Sequence, residues 1–253
     1  MINLLSRIAV LRSIPAPSPC VVEIDGREVH VKFKRNARCK RMVLRVAKDG
    51  SGLLMTLPKR TSQAEALRFV QISKDWIIKN LASRKPPVMF EAGAFIPLRG
   101  ALHQIECTGG RRGLVSVDLA AQKLSVPGEA AHVGRRVADW LKQQAVSDLS
   151  AASQKYATLM GVQFTAITVR DQNSRWGSCS SARALSYSWR LILAPPFVLD
   201  YVAAHEVAHI LEMNHGPKFW RLVLTHCKNA KLSRDWLKKN GSELHRYQKP
   251  KSH

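Results

Sequence analysis

DYVAAHEVAHILEMNHGPKFW, residues 200–220, is the stretch where helix periodicity and metal-ligand spacing coincide. On an α-helix His205 and His209 stand one turn apart on one face, so both imidazoles reach a single ion at about 2.0–2.1 Å, with Glu206 beside them. This is the H-E-x-x-H arrangement that zinc hydrolases use. A catalytic zinc takes three protein ligands and keeps one position open for water, so a third ligand has to follow. Glu212 shares the helix face but lies about 10.5 Å of helix rise beyond His205, too far for one tetrahedral ion. His215 is better placed. Asn214 can take the left-handed conformation that ends a helix, and Gly216-Pro217 disfavours continuation, which turns His215 back toward the metal. The expected site is Zn2+ held by His205, His209 and His215, with Glu206 as the base for the attacking water.

Upstream of this helix, expected over Val198 to Met213, the pattern predicts a strand from Thr165 to Arg170, a polar loop from Asn173 to Arg183 and a strand from Leu185 to Leu193. Before them, Val133, Val137, Leu141 and Leu149 mark a long helix from Ala130 to Leu159, ended by Gly161. Short strands are expected over Phe95 to Leu98, His103 to Cys107, Val115 to Leu119 and Leu124 to Val126. Ser62 and Glu65 form a capping box that opens one helix carrying Leu67, Phe69, Val70, Trp76, Ile77 and Leu81, stopped by Pro86-Pro87. From Val21 to Leu57 the apolar residues alternate, as in Val29, Val31, Phe33 and in Leu53, Met55, Leu57. Gly26 and Asp49-Gly50-Ser51-Gly52 serve as turns. A further helix is expected from Pro217. The boundaries read as a tail over 1–18, a β-rich region with one helix over 19–128, the metal-binding domain over 129–247, and a basic tail over 248–253.

Composition narrows the classes. The chain has 253 residues, 45% hydrophobic and 23% charged, as in ordinary globular proteins. No run approaches the roughly 20 apolar residues that cross a bilayer, so no membrane span is expected. Arg7 and Arg12 interrupt any secretory core near the N-terminus, and a loosely held tail is the reading there. Five cysteines without C-x-x-C spacing exclude a cysteine zinc site and a disulfide framework, and point to a reducing cytoplasm. A net charge of +22, from 40 Lys+Arg against 18 Asp+Glu, favours polyanionic or acidic partners without choosing among them. Basic residues such as Lys228, Lys231 and Lys239 continue to the C-terminus and read equally well as a solvated helix face.

RWGSCSS from Arg175, SYSWRLILAPPFVLDYVAAHEVAHILEMNHGPKFW from Ser186 and RDWLKKNG from Arg234 resemble the YgjP-like metallopeptidase family. This zincin group is also similar to SprT-like proteases in its helix and third histidine. The resemblance is densest from Thr165 to Gly241, and KRNARCKRMVLRV from Lys34 is similar to the family's N-terminal part. The spacing H-E-x-x-H-x5-H is similar to that of metzincins, but Glu212 stands where those have glycine. The YgjP-like resemblance implies an α+β fold: a β-rich N-terminal part, then a zincin-like domain with an antiparallel sheet and the H-E-x-x-H helix. It implies the same roles for His205, Glu206, His209 and His215, and peptide-bond hydrolysis by Glu-assisted attack of zinc-bound water.

Arg175, Trp176, Tyr187 and Arg190 are candidates to bind substrate or stabilise the oxyanion. Cys179 is not expected to act as a nucleophile, and His226 and His245 read as surface histidines. Beside a cytoplasmic metallopeptidase acting on a peptide or protein, two alternatives stand. A phosphoanhydride (nucleotide) hydrolase suits the basic charge but not an imidazole-rich ligand set. A nucleic-acid-binding protein with a structural zinc site would need a fourth protein ligand.

Overall fold

The computed structural model describes residues 15–47, 51–82, 85–110, 113–172 and 174–250. Residues 1–14 of the expected tail over 1–18, the turn residues Asp49-Gly50 and positions 251–253 lie outside them. The chain packs as two units, Met1–Lys85 and Pro86–His253, each with its own apolar core.

The first unit is a sheet backed by helices. Strands β1 (Cys20–Ile24), β2 (Arg27–Arg35), β3 (Val43–Val46) and β4 (Leu53–Leu57) assemble in the order β1-β2-β4-β3. The alternation seen in the sequence holds: Val29, Val31, Leu53, Met55 and Leu57 face inward. They meet Ala66 and Val70 of α1 (Gln63–Ile72) and Ile77 of α2 (Lys74–Ala82). The capping box forms as expected, with Ser62 Oγ accepting from Glu65 N and Glu65 Oε2 accepting from Ser62 N. The single helix expected here is instead two. Ser73, at φ −88° and ψ 11°, breaks the helical path, so Ile77 rejoins the core while Ile72 and Trp76 face solvent.

In the second unit β5 (Val88–Met89) is followed by β6 (Phe95–Leu98), β7 (Ala101–Gly109), β8 (Ser116–Asp118) and β9 (Lys123–Pro127), then α3 (Ala130–Met160). Gly161, at φ 66°, caps α3 in the left-handed conformation that glycine tolerates. Ile96, Leu98, Ile105, Leu124 and Val126 share one core with Val133, Val137 and Leu141 of α3. The unit boundary therefore falls between residues 85 and 86 and not at 128/129: the strands from β6 to β9 have no core apart from α3.

Three further strands carry the motif region: β10 (Ala166–Arg170), β11 (Gly177–Cys179) and β12 (Ala184–Ser188). Their order is β10-β12-β11, with β10 parallel and β11 antiparallel to the central β12. The sheet is mixed, not antiparallel, because β11 lies inside the expected polar loop and the loop becomes a crossover that returns β12 along β10. The strand expected to Leu193 stops at Ser188 and continues as a 3-10 helix over Trp189–Leu193, all five residues buried. A short run buried on every side has no periodicity from which to tell helix from strand. Then follow α4 (Pro196–Ala208), α5 (Pro217–His226), α6 (Ala230–Asn240), a 3-10 helix over Gly241–Arg246, and β13 (Tyr247–Gln248), which pairs with β5. Gln248 thus belongs to a strand and not to the tail. No helix among the described residues is long and apolar enough to cross a membrane, and all five cysteines are free.

Arg190 proves to be a strut. Its buried guanidinium donates to both carboxylate oxygens of Asp171, at 3.1 and 3.3 Å, and to the carbonyls of Leu244 and Tyr247. It ties the end of β10 to the C-terminal segment, and four of its five N–H groups are spent on these contacts and not on a substrate oxyanion. Arg190→Met should lower the unfolding free energy by about 2–4 kcal/mol, since buried carbonyls lose a charged donor. Urea denaturation measures this, and a loss below about 0.5 kcal/mol would contradict the assignment.

Candidate metal centre

Helix α4 is apolar almost all round, and Pro196 at its first turn supplies the φ that a helix start needs. Val202, Ala203, Val207 and Ala208 bury its flanks, so the polar side chains of its last turn are held in a low-dielectric wall. Glu206 and His209 are 5% and 8% exposed.

The helix closes at Ala208, five residues before the expected Met213. Ile210 N reaches Val207 O at 3.0 Å and Leu211 N reaches Ala208 O at 3.1 Å, tightening the backbone past His209. The His209 ring completes the turn: Nδ1 donates to the Glu212 carbonyl at 3.0 Å. Asn214 is not among the residues in the left-handed region, so the expected left-handed stop at Asn214 is corrected to a side-chain-assisted turn begun by His209. The segment still brings His215 back. Its Nε2 lies 3.0 Å from His205 Nε2, and one ring nitrogen from each of His205, His209 and His215 lies within 4.8 Å of the others.

These residues fit a metal ion. Ligation at about 2.0–2.1 Å with tetrahedral angles places donor nitrogens roughly 3.3 Å apart, close to the 3.0 Å observed. His209 Nδ1 is committed to a carbonyl, and Tyr201 Oη, 3.3 Å from His205 Nδ1, is placed to accept from it. Both rings thereby turn Nε2 toward the cluster, the usual way a metal-binding imidazole is oriented. Burial, followed by the charges of His209, His215 and Arg234, lowers the His205 pKa to about 3. Burial lowers that of His209 as well. Both rings are neutral at physiological pH, as ligation requires. Phe219, fully buried, stacks on His209 at 4.5 Å and meets His205 and His215 edge-on. Phe219 and Tyr201, legible in the sequence only as apolar helix positions, are the supports that motif reading missed.

The Glu206 carboxylate lies against β11. A Cβ built on Gly177 would lie 2.6 Å from its Cγ and Oε1. The glycine of RWGSCSS is therefore the space that the carboxylate occupies. Burial raises the Glu206 pKa to about 8, and the Arg175 charge partly opposes this. Burial and the nearby Glu206 charge also raise the Cys179 thiol, which stays protonated and is no nucleophile.

The four weaker candidates separate. Arg175 is exposed and close enough to act on Glu206. Trp176 packs against His245, ring centroids 5.3 Å apart, and against Gly241. His245 is 3% exposed and so is not the surface residue expected. Tyr187 is fully buried and its hydroxyl pairs with Ser153 at 2.9 Å, which makes it a core residue. Arg190 is the strut described above.

A histidine triad that could hold a metal ion, on a buried helix and the turn beyond it in a mixed α+β domain, is consistent with a zincin-like site. Residues 40–240 match the family model described as YgjP-like, metallopeptidase domain, and the chain belongs to that family. No curated protein and no solved structure matches it.

The ligand set is open to direct test by elemental analysis of purified variants. His205→Ala and His215→Ala should each lose at least about ten-fold in metal affinity, whereas Glu212→Ala should keep full occupancy, because only its backbone carbonyl supports His209. Full retention in His215→Ala would remove that residue from the site.

Proposed function

We propose that the protein is a zinc-dependent peptidase in which Glu206 is the general base. The observation that carries this is the pairing of three converging imidazoles with a buried carboxylate on the same helical turn, bordered by an exposed guanidinium. Three neutral imidazoles suit Zn2+ better than the oxygen-seeking Mg2+ of most phosphoanhydride chemistry. When bound, the metal supplies Lewis acidity for the water and the scissile carbonyl, and its charge favours the ionised form of Glu206.

The chain's own residues divide the remaining work. Glu206 takes a proton from the attacking water and returns it to the leaving amine, a role matched to a carboxyl pKa lifted toward neutrality. Gly177, without a side chain, leaves the carboxylate the space it occupies beside β11. Arg175, the exposed cation beside Glu206, is the side chain to stabilise the oxyanion. Leu211 and Met213, exposed on the turn between the second and third histidines, offer apolar contact to a substrate side chain.

Comparing cleaved termini in a proteome exposed to wild-type and Glu206→Gln protein finds the substrate and tests the base together. Glu206→Gln should retain metal and melting temperature and lose at least about 10²-fold in turnover. Gly177→Ala should act in the same direction, because its methyl displaces the carboxylate without touching a ligand. Equal turnover by wild type and Glu206→Gln would refute the mechanism, and nucleotide hydrolysis without peptide cleavage would refute the substrate class.

A further inference from the structure

The first unit separates charge along its sheet. Strand pairing sets Lys32 of β2, Leu54 of β4 and Arg45 of β3 in one row, and Lys34 beside Thr56 in the next. Their partners on the other face, Val31, Leu53 and Val46, are buried, so Lys32, Lys34 and Arg45 all project from the exposed face. The same ends of β2 and β4, with the start of β3, carry exposed Arg38, Lys40 and Arg41 on one connection and Lys59 and Arg60 on the other. None of these eight side chains has a hydrogen bond or ion pair among the described residues. The acids Glu23, Asp25 and Glu28 lie at the opposite end of the sheet. Between Val29 and Ser62 the sequence has one acid, Asp49.

The basic end is built to hold its shape. Arg35, on the buried side, donates to the carbonyls of Pro15, Pro58 and Lys59 at 2.8, 3.0 and 3.0 Å. Its guanidinium clamps the chain entering β1 to the chain leaving β4, and so fixes the backbone that presents Lys59 and Arg60. A strand spaces Lys32 and Lys34 by about 6.7 Å, and neighbouring strands lie about 4.8 Å apart. The cations are thus carried on paired strands and the connections between them, and not on free tails.

We propose that this face binds the phosphate backbone of duplex nucleic acid. A duplex carries one negative charge per roughly 1.7 Å of axis, a density that an array of unpaired cations matches. The face carries no Phe, Trp or Tyr, so it lacks the stacking platform by which proteins hold single strands. The first unit's largest exposed apolar groups, Ile72 and Trp76, sit on the helix layer on the other side of the sheet, and the cationic face carries only the smaller Val21 and Leu54, too little apolar surface to enter a lipid layer. The inference rests on the first unit alone and stands whether or not the peptidase reading does.

Binding of the full chain to a labelled 20-base-pair random duplex, measured by anisotropy across a salt series, tests it. The wild type should bind with an affinity that falls steeply with salt. Lys32→Gln/Lys34→Gln/Arg45→Gln should flatten the log–log slope by about 3 and weaken binding at least about ten-fold near 0.1 M salt. Lys34→Gln alone should flatten the slope by about 1. Lys228→Gln/Lys231→Gln/Lys239→Gln, with the same change in net charge on the second unit, should bind as wild type. Equal weakening by that control set would reduce the effect to net charge and overturn the proposal. So would tighter binding to a 20-nucleotide single strand, tighter binding to phosphatidylserine vesicles, or no duplex binding at all.

Discussion

The hydrogen bond from His209 Nδ1 to the Glu212 carbonyl is the constraint on which the candidate metal centre depends. It supplies a donor to a carbonyl in the turn beyond α4. It also fixes the ring so that Nε2 faces the cluster. By closing α4 at Ala208 it starts the turn that returns His215 to 3.0 Å from His205. One bond thus sets a tautomer, a helix end and the position of the third ligand.

Around that turn the fold accepts electrostatic cost for chemical readiness. Keeping Glu206 5% exposed in an apolar wall disfavours its charged form, and the raised pKa expresses that cost. Burial acts in the opposite sense on His205 and His209, holding both neutral. The same low-dielectric wall therefore leaves two imidazoles in the form that could ligate a metal ion and lifts a carboxyl toward the range where it can both take and give a proton. Phe219, stacked on His209, provides part of that wall, and Gly177 provides the space within it.

How much of this was legible in the sequence depended on whether the signal was local. The grouping of His205, Glu206 and His209 was legible because helix geometry converts spacing directly into proximity, and His215 was legible as a residue returned by a turn, although not by the left-handed Asn214 expected there. The capping box at Ser62, the alternation in β2 and β4, and the end of α3 at Gly161 were legible for the same reason. The boundary at 128/129 was not, because β6 to β9 earn their place only by sharing a core with α3, a contact between distant segments. Neither was the role of Arg190, whose partners are Asp171, Leu244 and Tyr247, nor that of Gly177, whose meaning lies in the carboxylate opposite it. The end of α4 was misplaced because a side chain and a carbonyl three residues on, with no glycine between them, made the turn.

The central claim is that three imidazoles hold the metal while Glu206 stands free of it. X-ray absorption at the zinc edge of the zinc-loaded protein reads that coordination shell directly. The account predicts three histidine nitrogens at about 2.0–2.1 Å, with the multiple scattering that imidazole rings produce, and a light atom in the fourth position. A shell with two imidazoles, or with sulfur, would contradict it.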